Sequence, residues 1–177
     1  MALSPGLSTQ GLYTLLAAQT NSAGGLATSG SKLLTLDYTA PKVTAVAATD
    51  SGTSPKRLAP GDAVIIRFSE KIKPSTFCAS WTSTATTIKT LANAKLSFVE
   101  NGANDLLRIS GAPCAGMTAF RLGIVYTGGD WIAAGATFDL STVTWDSTTR
   151  TLRLVPGKLT AGATRTTGLV ASRPKYL

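Results

Sequence analysis

"AVIIRFSEKI", residues 63–72, decides the fold. Val64, Ile66 and Phe68 fall on one face of an extended chain, and Ile65 and Arg67 fall on the other. A period of two in β-branched and aromatic residues reads as a strand with one buried face. Upstream, "KVTAVAAT" (42–49) alternates in the same way, and the polar, turn-rich "DSGTSPKRLAPGD" (50–62) links the two. Downstream, "KPSTFCASW" (73–81) reads as a helical turn with Ser75 as its cap. Short strands are then expected at Ile88 to Leu91 and at Leu96 to Val99, followed by a turn at "ENGAND" (100–105) and strands in "LLRIS" (106–110) and "FRLGIVYTG" (120–128). "TVTWDSTTRTLRLV" (142–155) reads as a hairpin with its turn near Asp146-Ser147, and a weaker tail runs through "GLVASRPKYL" (168–177). Strands at about ten-residue spacing, punctuated by Gly, Pro, Asn and Asp, predict an all-β, antiparallel sandwich.

Composition agrees with that reading. The chain has 177 residues, 44% of them apolar, with 17 Gly and eight Pro, enough to bury a core and supply many turns. Seventeen Lys and Arg against nine Asp and Glu give a formal charge of +8. The basic residues are scattered along the sequence, and Lys56-Arg57 is the only adjacent basic pair. That pattern fits solvated outward strand positions and predicts no dedicated nucleic-acid site. No stretch approaches the ~18 apolar residues of a membrane span, and the N-terminus has no signal-peptide pattern.

The absence of histidine, a property of the full sequence, removes Ser-His-Asp and Cys-His catalysis and most catalytic zinc sites from consideration. The acids Asp105, Asp130, Asp139 and Asp146 stand apart, without the spacing of a calcium loop or a reason to select two as a glycosidase pair. No phosphate-binding Gly-rich loop is present in "GTSPKRLAPGD". The expectation is a non-enzymatic protein without cofactor. Two cysteines, Cys78 and Cys114, enclose a loop of about 37 residues that suits one disulfide, worth roughly 4 kcal/mol in the chain-entropy account. Two buried thiols are the alternative. A disulfide would place the protein outside the cytosol. Trp81 and Trp145 read as core residues, whereas Trp131, in the Gly-rich "YTGGDWIAAG" (126–135), reads as an exposed ring. Tyr126, Asp130 and Trp131 are therefore the candidate ligand-contact residues, for a surface polysaccharide.

The N-terminal stretch has its own organisation. Leu12 to Thr20 reads as a strand, "NSAGG" (21–25) as a turn offering left-handed conformations, and Leu26 to Leu36 as a returning strand. Pro41 closes a linker by forcing Ala40 into an extended shape. Residues 1–40 are thus expected as a hairpin plus linker, and residues 41–177 as the main domain. Leu12, Tyr13, Leu15, Leu34 and Leu36 are the candidate assembly residues of the hairpin.

"GLYTLLAAQTNSAGGLATSGSKLLTLDYTAPKVTAV" (11–46) resembles the end of one bacterial extracellular Ig-like (Big-type) repeat and its junction to the next. The resemblance rests on Gly11-Leu12-Tyr13-Thr14, Ala23-Gly24 and Asp37-Tyr38-Thr39-Ala40-Pro41. The turn departs from the usual Asp-x-Ala-Gly-Asn, reading Asn21-Ser22-Ala23-Gly24-Gly25, which removes a carboxylate suited to calcium. "GDAVIIRFSEKIKPSTFCASW", "VENGANDLLRIS", "LGIVYTGGDWI" and "VTWDSTTRTLRLVPG" look like a second repeat type of large secreted bacterial proteins. The resemblance implies an Ig-like β-sandwich over 41–177, preceded by the last hairpin of another repeat. It also implies that "ASRPKYL" would run on into a closing strand. On this reading the chain is an extracellular structural or spacer module of a secreted or cell-surface protein, and its partners are neighbouring repeats or copies of itself. The alternatives are a filament subunit donating its N-terminal hairpin, and an adhesin or carbohydrate-binding domain.

Overall fold

The computed structural model describes residues 9–52, 56–82, 87–110, 125–166 and 175–176, the backbone alone at 110 and 175–176. Two compact units are present, Met1–Ala40 and Pro41–Leu177.

In the first unit β1 (Gly11–Leu15) pairs with β4 (Lys32–Leu36), and β2 (Ala18–Thr20) pairs with β3 (Leu26–Thr28), both antiparallel. The two pairs are successive parts of one hairpin. Each expected strand is interrupted, at residues 16–17 and 29–31. There Ser29 N donates to Ala17 O at 2.8 Å and Ala17 N donates to Ser29 Oγ at 2.9 Å. Gly24 takes the left-handed conformation, φ 83°, that the turn requires. Asn21 closes the turn from within, its Oδ1 accepting the amides of Ala23 and Gly25 at 3.0 and 2.7 Å.

The second unit is one curled antiparallel sheet. Its strands are β5 (Val43–Thr49), β6 (Ala63–Phe68), β7 (Ile88–Val99), β8 (Leu106–Ser110), β9 (Val125–Tyr126), β10 (Ile132–Asp146), β11 (Thr151–Val155), β12 (Lys158–Thr164) and β13 (Lys175–Tyr176). Across the sheet the order is β13-β9-β8-β7-β10-β11-β6-β5, with β12 also paired to β10. The curl brings β13 back beside β5. Alternation behaves as the sequence requires: Val64, Ile66 and Phe68 are buried, Ile65 is half-buried and Arg67 is exposed. The "TVTWDSTTRTLRLV" hairpin forms as β10–β11, with its turn at residues 147–150.

Two expectations need correction. The helical turn α1 (Pro74–Phe77) is capped at Lys73 without a side-chain hydrogen bond, and Ser75 lies inside it. Pro74 occupies the first helical position, where its missing N–H costs nothing. The separate strands expected at 88–91 and 96–99 are one strand, β7. Its apparent break is a bulge at Asn93, whose φ is 57°.

That bulge belongs to a seam. On the next strand Leu140, φ 55°, makes a second bulge in β10, on the other side of the Ser141–Ala94 pair from Asn93, and on the strand after that Pro156-Gly157 separates β11 from β12. Each strand changes the facing of its side chains there. Leu91 and Ala94 are both buried across the first bulge, and Phe138, Ser141 and Val143 are buried across the second. Ser141, fully buried, joins the strands at the seam: its Oγ donates to Phe138 O at 2.9 Å and accepts from Gly157 N at 3.0 Å. A Cβ on Gly157 would fall onto the carbonyl oxygens of Asp139 and Leu140, so only glycine fits.

The core is continuous through the seam but has an aromatic group on either side. Phe68, Phe77 and Trp145 pack with ring centroids 5.2–5.8 Å apart on the β11 side. Phe98, Phe138 and Trp131 pack at 5.6–6.1 Å on the β12 side. Ser141→Ala should lower stability by about 1–3 kcal/mol, because it removes the partner of the half-buried Gly157 amide and of the Phe138 carbonyl. Gly157→Ala should cost more than about 2 kcal/mol through backbone collision. Urea denaturation of both variants checks the pair, and equal wild-type midpoints would refute the seam's importance.

Candidate functional site

The loop from Tyr126 to Trp131 is assembled around one carboxylate. Asp105 ends the β7–β8 turn and is fully buried. Its Oδ2 accepts the amides of Trp131 and Ile132 at 2.6 and 2.9 Å, and its Oδ1 accepts the amide of Asn101 at 3.0 Å. Its main chain is engaged too. Thr127 N donates to Asp105 O at 2.9 Å, and Asp105 N donates to Gly129 O at 3.4 Å. Asn104 Oδ1 accepts from Gly128 N at 2.9 Å. Three amides around one carboxylate satisfy a buried charge that would otherwise be prohibitive.

This arrangement relocates the expected ligand residues. Trp131 is 1% exposed and its ring packs on Phe98, so it offers no face to a ligand. The Gly-rich sequence around it suggested an exposed ring. The two amides held by Asp105 instead draw the chain inward at this point, and the indole follows. Tyr126 is half-buried on β9 beside buried Val125, so alternation points it away from the core side that Trp131 fills. Asp130 is half-exposed and takes the guanidinium of Arg165 at 2.5 Å. The three candidates are neighbours in sequence without forming one surface. Trp81 and Trp145 are buried, as their sequence positions suggested.

Cys78 is buried, with Ser80 Oγ 3.2 Å from its sulfur, while Cys114 lies outside the described residues. The beginning of "FRLGIVYTG" and most of the tail through "GLVASRPKYL" also lie outside them. Among the described residues no group of His, Cys, Asp and Glu is placed to hold a metal ion, and no helix is long and apolar enough to cross a membrane.

Two further carboxylates hold the segment between β5 and β6. Buried Asp62 accepts from Ser51 N at 2.8 Å and Ala59 N at 2.7 Å. Asp50 accepts from Lys56 N at 2.8 Å and Gly52 N at 2.7 Å, and those amides, Lys56 first, hold its carboxyl below the ordinary value of 3.8. Asp146 is lowered likewise, chiefly by the Thr149 hydroxyl and then by the Thr148 amide. Sequence reading listed Asp105 among isolated acids, did not consider Asp62, and missed that both are buried. The available signal was position: each immediately precedes or nearly precedes an apolar strand, in "GDAVII" and "NDLLRI".

The hairpin unit contrasts with all this satisfaction. Gly11, Tyr13 and Leu15 share one face with Leu36, Leu34 and Lys32, their cross-strand partners. Leu12 and Leu33 occupy the other face and are 66% and 71% exposed. Leu16, Leu26 and Tyr38 are also exposed. The expected assembly residues therefore divide, with Tyr13, Leu15, Leu34 and Leu36 on one face and Leu12 on its reverse. The ribbon therefore carries exposed apolar side chains on both faces, and a two-stranded ribbon alone is at best marginal in water. No known protein family matches the chain, and no curated protein or solved structure matches it significantly.

Asp105→Asn should destabilise by about 1.5–3 kcal/mol, because an amide NH2 replaces one acceptor among three donors. Loss of near-ultraviolet circular dichroism from Trp131 in mild denaturant reports it. For Asp50 and Asp146, lowered folded-state values mean stability that is present above the ordinary aspartate range and lost as pH falls through the folded values. Asp50→Asn and Asp146→Asn should therefore destabilise slightly at pH 7, and the difference from wild type should shrink as pH falls below the ordinary aspartate value of 3.8. Both groups are exposed, so the effect is small.

Proposed function

We propose that the chain is a non-enzymatic structural module: an Ig-like β-sandwich serving as a spacer in a secreted or cell-surface bacterial protein. The observation that carries this reading is the N-terminal ribbon, whose two apolar faces suit packing against further β structure, as in a row of repeats. The second unit supports it from the other side. Asp50, Asp62, Asp105 and Asp146 accept backbone amides and the tryptophans fill the core, an arrangement suited to a rigid structural domain. A disulfide between Cys78 and Cys114 would tie α1 to the segment after β8 and fits an extracellular setting.

A second reading is favoured by the same ribbon. Strands exposed on both faces and both edges can be donated to another copy, and a head-to-tail donation builds an open filament. The adhesin reading is weaker, because burial of Trp131 removes the ring on which it stood.

Light scattering of the purified chain under non-reducing conditions separates the first two. A monomer near 18 kDa supports the spacer module. Polymers that vanish when residues 1–40 are deleted support strand donation instead. Intact mass before and after reduction and alkylation tests the disulfide, which predicts no alkylation until reductant is added.

A further inference from the structure

Cations that are scattered in sequence meet at one end of the second unit. Arg67 on β6 stands opposite Thr151 on β11, and Arg153 stands opposite Ile65, so the two exposed arginines are diagonal neighbours on the outer face. Arg150, in the turn before β11, donates from Nη1 to Ser69 O at 2.6 Å, and its carbonyl accepts from Phe68 N at 2.9 Å. Ser69 in turn donates its amide to Lys42 O at 2.8 Å and accepts Lys42 N on its hydroxyl at 3.0 Å. Lys71 and Lys73, both exposed, follow Ser69 within four residues. Five cations, Lys42, Arg67, Lys71, Lys73 and Arg150, thus lie at or beside Ser69, with Arg153 further along the outer face, against two acids in the same stretch: Glu70, which is half-buried, and Asp146, whose carboxylate is engaged by Thr148 and Thr149.

We propose that this end binds an extended anionic polysaccharide, read by charge. The patch has backbone-fixed members and exposed lysines, so it presents a concentrated positive field that a polyanion can follow. Its cations sit on strand ends and a loop, with no long helix to enter a nucleic-acid groove. The tryptophans of this unit are buried, leaving no indole platform for stacking bases. This assignment holds for either assembly described above, since it uses only the second unit.

The test uses the full chain against heparin, as a sulfated polysaccharide, and polygalacturonate, as a carboxylated one, at about 0.15 M salt. Lys71→Glu with Lys73→Glu should weaken binding to at least one polysaccharide by about tenfold. Arg108→Glu with Lys158→Glu, an equal change of net charge elsewhere on the sheet, should weaken it about twofold or less. Thermal unfolding by circular dichroism confirms that each variant folds, and Lys71→Gln with Lys73→Gln carries the same prediction at smaller amplitude. Equal losses for the two charge-reversed pairs would show attraction by total charge and overturn the site. Absence of binding to both polysaccharides would also overturn it, as would tighter binding of a DNA oligonucleotide at the same salt.

Discussion

The hydroxyl of Ser141 holds the sheet where three neighbouring strands change direction together. Bulges at Asn93 and Leu140 and the break at Pro156-Gly157 lie side by side, so the distortion is shared by the strands instead of disrupting their pairing. A bulge increases local twist, and two neighbouring bulges beside a strand break turn a flat sheet into one that curls. The inward face of β10 then stays inward across the seam, from Ala136 to Trp145. Phe138 lies on one side of the seam and Trp145 on the other, yet both join one core. Had only one strand bulged, the alternation of its neighbours would have fallen out of step and exposed half of their apolar set.

Much of this was legible in the sequence and the seam was not. The strand "AVIIRF" announced its burial through strict alternation, and the β10–β11 turn announced itself through Asp146 and the threonines after it. Asn93 and Leu140 hid because a bulge breaks the period of two that identifies a strand. Leu140 is also a residue that local preference would never place at positive φ. Tertiary pairing overrode that preference. Trp131 was misleading for a related reason. A Gly-rich neighbourhood speaks of backbone freedom and says nothing of a carboxylate 26 residues earlier that captures the amide of Trp131.

Acids and bases are used differently in the second unit. Asp62 and Asp105 are withdrawn from the surface to accept backbone amides, and Asp50 and Asp146 are turned into their own loops. Asp130 and Asp139 instead form ion pairs, with Arg165 and Lys95. The excess of base over acid in the sequence therefore understates the excess at the surface, since two carboxylates, Asp62 and Asp105, lie inside against one cation, Lys89. Charge that looks diffuse along the chain becomes directional once the fold has sorted it.

The hairpin unit shows the opposite economy. Its strands are five and three residues long, and none of its described side chains is fully buried. Ordering each residue costs about 1–2 kcal/mol of backbone entropy, which a two-stranded ladder alone does not offset. What remains is the apolar area of Leu12, Leu33, Leu26 and Leu16, and that area stabilises the ribbon only when something covers it. Both faces carry such residues, so cover on one side alone leaves the other wet. Under the spacer reading proposed above, a neighbouring repeat on each side would supply that cover.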